Sequence, residues 1–186
     1  LRKLAGDTQN TIRKEPYSIL EHSISEGVTY LETDEGPIPI EIFGKHNLSN
    51  LSGAKWICQL MGVDEDDFYQ AISTFKGASK RLERLANGKT SYLFKDFAHA
   101  PSKVKATTMA VKEQFPDSKL IACFELHTYS SLDPSFIVHY RKSLEKADLP
   151  IVFYDPEALR IKNRPPISPE EIVVAFDQPE LRVFIE

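Results

Sequence analysis

Asp96 and His99 stand three residues apart in "FKDFAHAPSKV", residues 94–104, where a β-rich apolar run meets a proline and a new amphipathic pattern. An acid and an imidazole at a strand-to-helix junction admit two readings. One is turn chemistry, since Asp favours turns and Ser102 is a good helix cap. The other is a ligand site, because strand-end junctions of α/β sheets are where ligands collect. A second polar set, His46, Asn47 and Asn50, lies in "GKHNLSN", residues 44–50. Asn47 and Asn50 share a face if the segment is helical, and their amides can then serve one planar ligand. The plainer alternative has Asn47 capping the helix and the other two in solvent. Arg81 in "KRLE" is either a surface residue or a planar fork for a phosphate. Glu125, His127 and Tyr129 in "ELHTYSSL" follow the carboxyl end of an expected strand and are further candidates. Gly44-Lys45 does not open a phosphate loop, because His46 follows the lysine and Pro39 stands where the first glycine belongs. The 5 histidines show no metal-binding spacing. No Ser-His-Asp or Cys-His set can be assembled.

The elements that must hold these residues follow from periodicity. "VTYLET" and "PIPIEIFG" flank Asp34-Glu35-Gly36 and predict a hairpin, with Pro37 and Pro39 placing its second strand at a sheet edge. A helix follows, with Leu51, Ala54, Cys58 and Met61 on one face and Gly62 at its end. Asp64 caps a second helix carrying Phe68, Ala71, Ile72 and Phe75. The small-residue stretch "KGASK", 76–80, marks a boundary, giving units 1–78 and 79–186. Asn87-Gly88 is a hairpin signal between "RLERLA" and "KTSYLFKDF". Beyond it the expected order is a helix from Ser102 with Val104, Thr108, Val111 and Phe115 inward, then strand "KLIACFE". A helix over 134–147 with Ile137, Tyr140 and Leu144 inward precedes strand "IVFYD". A helix capped by Ser168, Pro169 and Glu171 and a last strand "LRVFI" complete the pattern. This alternation predicts a mainly parallel, doubly wound sheet. Residues 1–26 are less legible; Tyr17–Leu20 fits either a strand or a short helix.

At 186 residues and 41% hydrophobic content the chain can bury a sizeable core. A net charge of −4 argues against a nucleic-acid partner. Cys58 and Cys123 are too few for a disulfide framework, which favours a reducing cytoplasm. No apolar run reaches membrane-spanning length. The chain opens at Leu1 without methionine and reads as a piece of something longer.

In this order, "GKHNLSN", "KRLE" and "DFAHAP" resemble the Mur ligase family of peptidoglycan synthesis, whose pattern runs G-x-H-N-x-x-N, R-R-x-E and D-[YF]-[AG]-H-x-P. The resemblance covers nearly the whole chain. It implies that residues 1–78 are the small α+β end of a central ATPase domain. Residues 79–186 would be a Rossmann-like C-terminal domain, a mainly parallel sheet with helices on both faces. It further implies that His46, Asn47 and Asn50 surround an adenine, Arg81 approaches the phosphates, and Asp96, with His99 beside it, meets the ribose. Phe97 and His127 become candidates for substrate contact. ATP and Mg²⁺ are the implied cofactors, with UDP-N-acetylmuramate and an amino acid or tripeptide as substrates. The phosphate loop and most magnesium ligands would lie N-terminal to this chain, which alone would be inactive. Lys80, Lys95, Phe97 and Ala100 depart from the family pattern. His127-Thr128-Tyr129-Ser130-Ser131 lacks both arginines of the H-R-Y-[ST]-R motif found in the branch that adds L-alanine. Together with the short connection from Arg81 to Asp96, this points to the murein peptide ligase branch of murein recycling. The alternatives are the UDP-N-acetylmuramate–L-alanine branch, a folylpolyglutamate synthase-like ligase, and a non-catalytic α/β small-ligand-binding module.

Overall fold

The computed structural model describes residues 15–185. Its first sheet is antiparallel, in the order β1 (His22–Ser25), β2 (Val28–Leu31), β3 (Ile38–Ile40). Glu26 and Gly27 both have positive φ, 50° and 74°, and join β1 to β2 in a tight two-residue turn. β3 is an edge strand, so Pro39 deprives no inner neighbour of a donor. Tyr17–Leu20 is neither strand nor helix. Instead the Tyr17 ring lies over Gly53, its Cζ 3.3 Å from where a Cβ would stand.

Helix α1 (Lys45–Leu60) and helix α2 (Glu65–Ser73) cover this sheet. Leu31, Ile40, Leu48, Leu51, Phe68 and Tyr69 form its core, each large side chain contributing about 1.5–3 kcal/mol by leaving water. The inward seam of α1 runs through Leu48, Leu51, Ser52 and Cys58, whereas Ala54 is exposed and Met61 is 79% exposed. The seam is thus set one turn earlier than the sequence pattern placed it, because the sheet meets the first half of the helix. Gly62 ends α1 at φ 92°; its N–H reaches Gln59 O and that of Val63 reaches Cys58 O. Asp64 caps α2 by accepting from Asp67 N at 2.9 Å.

The hairpin of β4 (Glu83–Asn87) and β5 (Tyr92–Lys95) pairs Asn87 with Tyr92. Asn87 therefore belongs to the strand, and the loop is 88–91, closed by Gly88 N to Ser91 O at 2.8 Å. Helix α3 (Pro101–Gln114) starts one residue before Ser102, with Pro101 in its first turn and Ala100, not Ser102, at the cap.

β6 (Ile121–Glu125), β7 (Leu149–Tyr154) and β8 (Arg182–Ile185) form a parallel sheet in that order. The fold is mixed α/β, as the alternation requires. On central β7 the buried residues alternate: Pro150, Val152 and Tyr154. Around them pack Phe124, Tyr140, Leu144, Ile172 and Phe176, the Tyr140 and Phe176 rings stacked at 5.4 Å. Residues 134–147 are not one helix. They hold a 3₁₀ turn, Ile137–Tyr140, followed by turns. Lys142 adopts φ 54° and donates its N–H to Phe176 O at 2.8 Å, which breaks any α-helical ladder. Ile137, Tyr140 and Leu144 still point inward. The crossover from β7 to β8 contains α4 (Pro156–Ile161) and α5 (Pro169–Phe176). Ser168 and Glu171 close a capping box on α5, with bonds of 2.7 and 3.2 Å.

A third apolar cluster joins the two parts. Phe43 packs with Leu82, Ala110, Phe94, Val111 and Phe115. Beside it the Thr29 hydroxyl donates to Gln114 Oε1 at 2.9 Å, and Gln114 Nε2 donates to Gly27 O at 2.8 Å.

Candidate functional site

The polar residues singled out at the start of α1 depend on Gly44. With φ 89° it occupies backbone space that L side chains avoid, and a Cβ there would fall 2.6 Å from Ala110 Cβ. Its own Cα instead lies beside the His46 ring, whose Cε1 would be 3.2 Å from that Cβ. Asn47 donates its side-chain amide to Phe43 O at 2.9 Å, so it braces the turn into α1 instead of capping the helix end. Asn50 is exposed one turn further on.

Arg81 stands between Lys80 and Leu82, two non-glycine residues at φ 58° and 47°. Such backbone costs of the order of 1–3 kcal/mol per residue and persists only where neighbours hold it. They do: Lys80 N donates to Glu83 Oε2 at 2.7 Å, and Leu82 N donates to Asp96 Oδ2 at 2.8 Å. The Arg81 guanidinium carbon is 5.9 Å from the centroid of the Phe97 ring, which is itself 48% exposed. Phe97 N donates to Lys80 O at 2.9 Å and closes the same loop pair.

Among the described residues Asp96 accepts three hydrogen bonds. Besides Leu82 N, its carboxylate accepts from Ala98 N at 2.7 Å and from Thr107 Oγ1 at 3.2 Å. Turn formation and a site role therefore coexist: a carboxylate offers about four lone-pair positions, and these bonds use three. His99 meets the Phe97 ring edge-on at 5.0 Å. Its backbone carbonyl accepts from the Tyr140 hydroxyl, whose pKa burial pushes up to about 12. The helix-start and hairpin residues converge electrostatically. Burial lowers the His46 pKa from the usual 6.5, Asp96 pulls it up, and Arg81 pushes it down. His46 is therefore within electrostatic reach of the Asp96 carboxylate and the Arg81 guanidinium, which lies over the exposed Phe97 ring.

His127 is not tied into this cluster by any bond or ring contact among the described residues. It sits beyond the carboxyl end of β6, its Nδ1 3.9 Å from Glu125 Oε2. Tyr129, 63% exposed, carries the Lys162 ammonium 5.3 Å above its ring. Glu83 and Thr107 were not legible as site residues. Glu83 is one of many acids, and Thr107 gains its role only when α3 folds against Asp96. A cavity of about 820 Å³ lies between the hairpin, α3 and β6. Asp96 and Thr107 line it, but His46, Asn47, Asn50, Arg81 and His99 do not. Its walls are mostly apolar, so the polar convergence beside it is the better candidate for recognition of a charged ligand.

No family model matches the chain. Over 141 residues it is 35% identical to the UDP-N-acetylmuramate–L-alanine ligase of Caldicellulosiruptor bescii, an alignment covering 76% of this chain and 30% of that ligase. The chain thus spans about 30% of the length of that curated relative. Among solved structures, UDP-N-acetylmuramate–alanine ligase from Thermotoga maritima superposes with a TM-score of 0.68 at 18% identity, over 94% of this chain and 38% of that one. A Mycobacterium tuberculosis folylpolyglutamate synthase, complexed with ADP and AMPPCP, gives 0.58 at 18% identity, over 91% of this chain and 38% of that one. A murein peptide ligase from Psychrobacter arcticus gives 0.51 at 19%, over 86% and 33%. At such identities the structures speak for the fold, while the sequence relative carries the kinship. With the three motifs in order on that fold, the chain belongs to the Mur ligase family.

Proposed function

We propose that the protein containing this chain is an ATP-dependent ligase that forms an amide on the lactyl carboxylate of UDP-N-acetylmuramate. The observation that carries this reading is that Asp96 holds the Arg81 turn through Leu82 N, with His46 of a distant helix start within electrostatic reach of both. The ligase name of its C. bescii relative supplies the reaction class. In this reading His46, Asn47 and Asn50 border the adenine, and the lone-pair position left on Asp96 accepts from a ribose hydroxyl. Arg81, held by its clamped neighbours, supplies positive charge to the phosphates. Phosphoryl transfer of this kind depends mainly on positioning and charge stabilisation. The γ-phosphoryl group passes to the carboxylate, giving an acyl phosphate and ADP. The donor amine then attacks, phosphate leaves, and the amine gives up a proton. Among the described residues no group of three or more His, Cys, Asp or Glu side chains is arranged to hold a metal. The family's Mg²⁺ therefore finds no cage among these residues.

Two amine donors have support. L-Alanine is the one named by the C. bescii relative. A peptide beginning with L-alanine is favoured by the loop 127–131, which contains no arginine. The test uses the full-length protein with ATP and UDP-N-acetylmuramate, offering L-alanine or the tripeptide L-alanyl-γ-D-glutamyl-meso-diaminopimelate. Phosphate release that requires both the sugar nucleotide and one donor, with the matching amide mass, is expected. No release with either donor overturns the reading. The 186-residue chain alone is expected to release none, since it lacks a phosphate loop.

A further inference from the structure

Arg81 sits between two strained residues, and each of them is held by a carboxylate from a different strand of the hairpin. Lys80 and Leu82 adopt φ 58° and 47°, a left-handed backbone that residues with a Cβ avoid. Two such residues flanking one arginine mark a segment that its surroundings over-determine. Leu82 N is taken by Asp96 Oδ2, just beyond β5. The other clamp belongs to Glu83, the first residue of β4, which pairs with Lys95 across the hairpin. Its Oε2 accepts from Lys80 N at 2.7 Å and from Ser79 Oγ at 3.1 Å. The Lys80 N bond foremost, then the Ser79 bond, holds the Glu83 carboxyl below its usual pKa. The carboxylate is therefore charged at neutral pH, and both bonds are charge-assisted. Arg81 N donates to Ala78 O at 3.1 Å, so each N–H of residues 80–82 has an acceptor.

The two carboxylates do different work. Asp96 also braces Ala98 N and Thr107 Oγ1, so the fold depends on it. The Glu83 bonds lie at the surface and reach back only to residues 79 and 80. What they fix is direction. Rotation of the backbone at Lys80 swings the Cα–Cβ bond of Arg81, and the long side chain magnifies that swing at its guanidinium. In the clamped turn the guanidinium carbon lies 5.9 Å from the Phe97 ring centroid, and Phe97 N is itself tied to Lys80 O at 2.9 Å. Turn, ring and cation are thereby fixed relative to one another. We propose that Glu83 is a positioning residue, which holds the strained backbone at Lys80 and so aims Arg81 at the phosphates of the nucleotide. The identity of that target rests on the ligase reading above. The Glu83 carboxylate acts through Lys80 and Arg81, not on the ligand, and the cation is ordered before the nucleotide arrives.

The experiment measures ATP and adenosine dissociation constants of the full-length protein by calorimetric titration, for the wild type, Arg81→Ala, Glu83→Ala and Glu83→Gln. Adenosine carries no phosphate, so it reports the base and ribose contacts alone and shows that each variant is folded. Glu83→Ala should weaken ATP about tenfold, the loss of one well-placed charged contact, and leave adenosine unchanged. Glutamine keeps an acceptor oxygen for Lys80 N, so Glu83→Gln should recover ATP affinity to within about threefold of the wild type. Unchanged ATP binding in Glu83→Ala, an equal loss of adenosine, or a glutamine variant as weak as the alanine one would each overturn the proposal. Arg81→Ala separates the two readings. If it weakens ATP while Glu83→Ala does not, the positioning role alone falls. If ATP binding is indifferent to Arg81, the phosphate assignment falls and takes the proposal with it.

Discussion

The Asp96 carboxylate works for the fold through Leu82 N, Ala98 N and Thr107 Oγ1. Replacing it by Ala strands two backbone donors in a half-buried place, at a cost of roughly 2–4 kcal/mol. For a chain of this size the melting temperature should fall by about 5–15 °C. If the remaining lone pair also serves a ribose, ATP affinity of the folded variant drops about ten- to a hundredfold in the full-length enzyme. Lys95→Ala, at an exposed position, should change neither. Melting curves and ATP dissociation constants for the two variants decide the matter: a destabilised Asp96→Ala with wild-type ATP affinity leaves Asp96 a purely structural residue. The spacing of Asp96 and His99 was legible in the sequence. Their partners were not, since Leu82 is 14 residues upstream of Asp96 and Thr107 is 11 downstream, with no local pattern to announce either.

Local chemistry that is complete within one turn read through to the structure, as in the Asp64 cap and the Ser168–Glu171 box. Elements decided by distant packing did not. Segment 134–147 has helical spacing of apolar residues, yet Phe176 O captures Lys142 N and the segment folds as turns. Apolar residues three apart face the same way in a 3₁₀ turn too, so the buried positions were right while the element was wrong. Gly44 gives a test of packing between elements. Gly44→Ala should cost about 2–4 kcal/mol, part from φ 89° and part from the 2.6 Å approach to Ala110 Cβ. Adding Ala110→Gly relieves the contact and leaves the φ strain. Denaturant midpoints for both single variants and the double should therefore show a favourable coupling of about 1 kcal/mol or more. Strict additivity would mean that the two elements do not press on each other there.

For the molecule as a whole, the tie between its two parts is polar and buried. Gln114 is 3% exposed and Thr29 is 1% exposed. Gln114→Ala leaves the Thr29 hydroxyl and Gly27 carbonyl without partners and should destabilise the chain by roughly 2–4 kcal/mol. The single tryptophan, Trp56 on α1, reports the first part alone, whereas circular dichroism reports both. In the variant the Trp56 transition should move to lower denaturant than the dichroic one; an unchanged midpoint would show that the tie carries no stability. The sequence displayed the alternation that builds the parallel sheet, but nothing in it marks Thr29 and Gln114 as partners. They are 85 residues apart, against 14 for Asp96 and Leu82. In the language of folding kinetics, that difference is a loop-closure cost about 1.6 kcal/mol larger for the inter-part tie. The clamp around Arg81 can close from its own hairpin, while the Gln114 bond waits until both of its ends are ordered. The order of assembly then runs from ligand-facing loops outward, and the seam between the two parts is the last contact made and the first exposed to a passing protease.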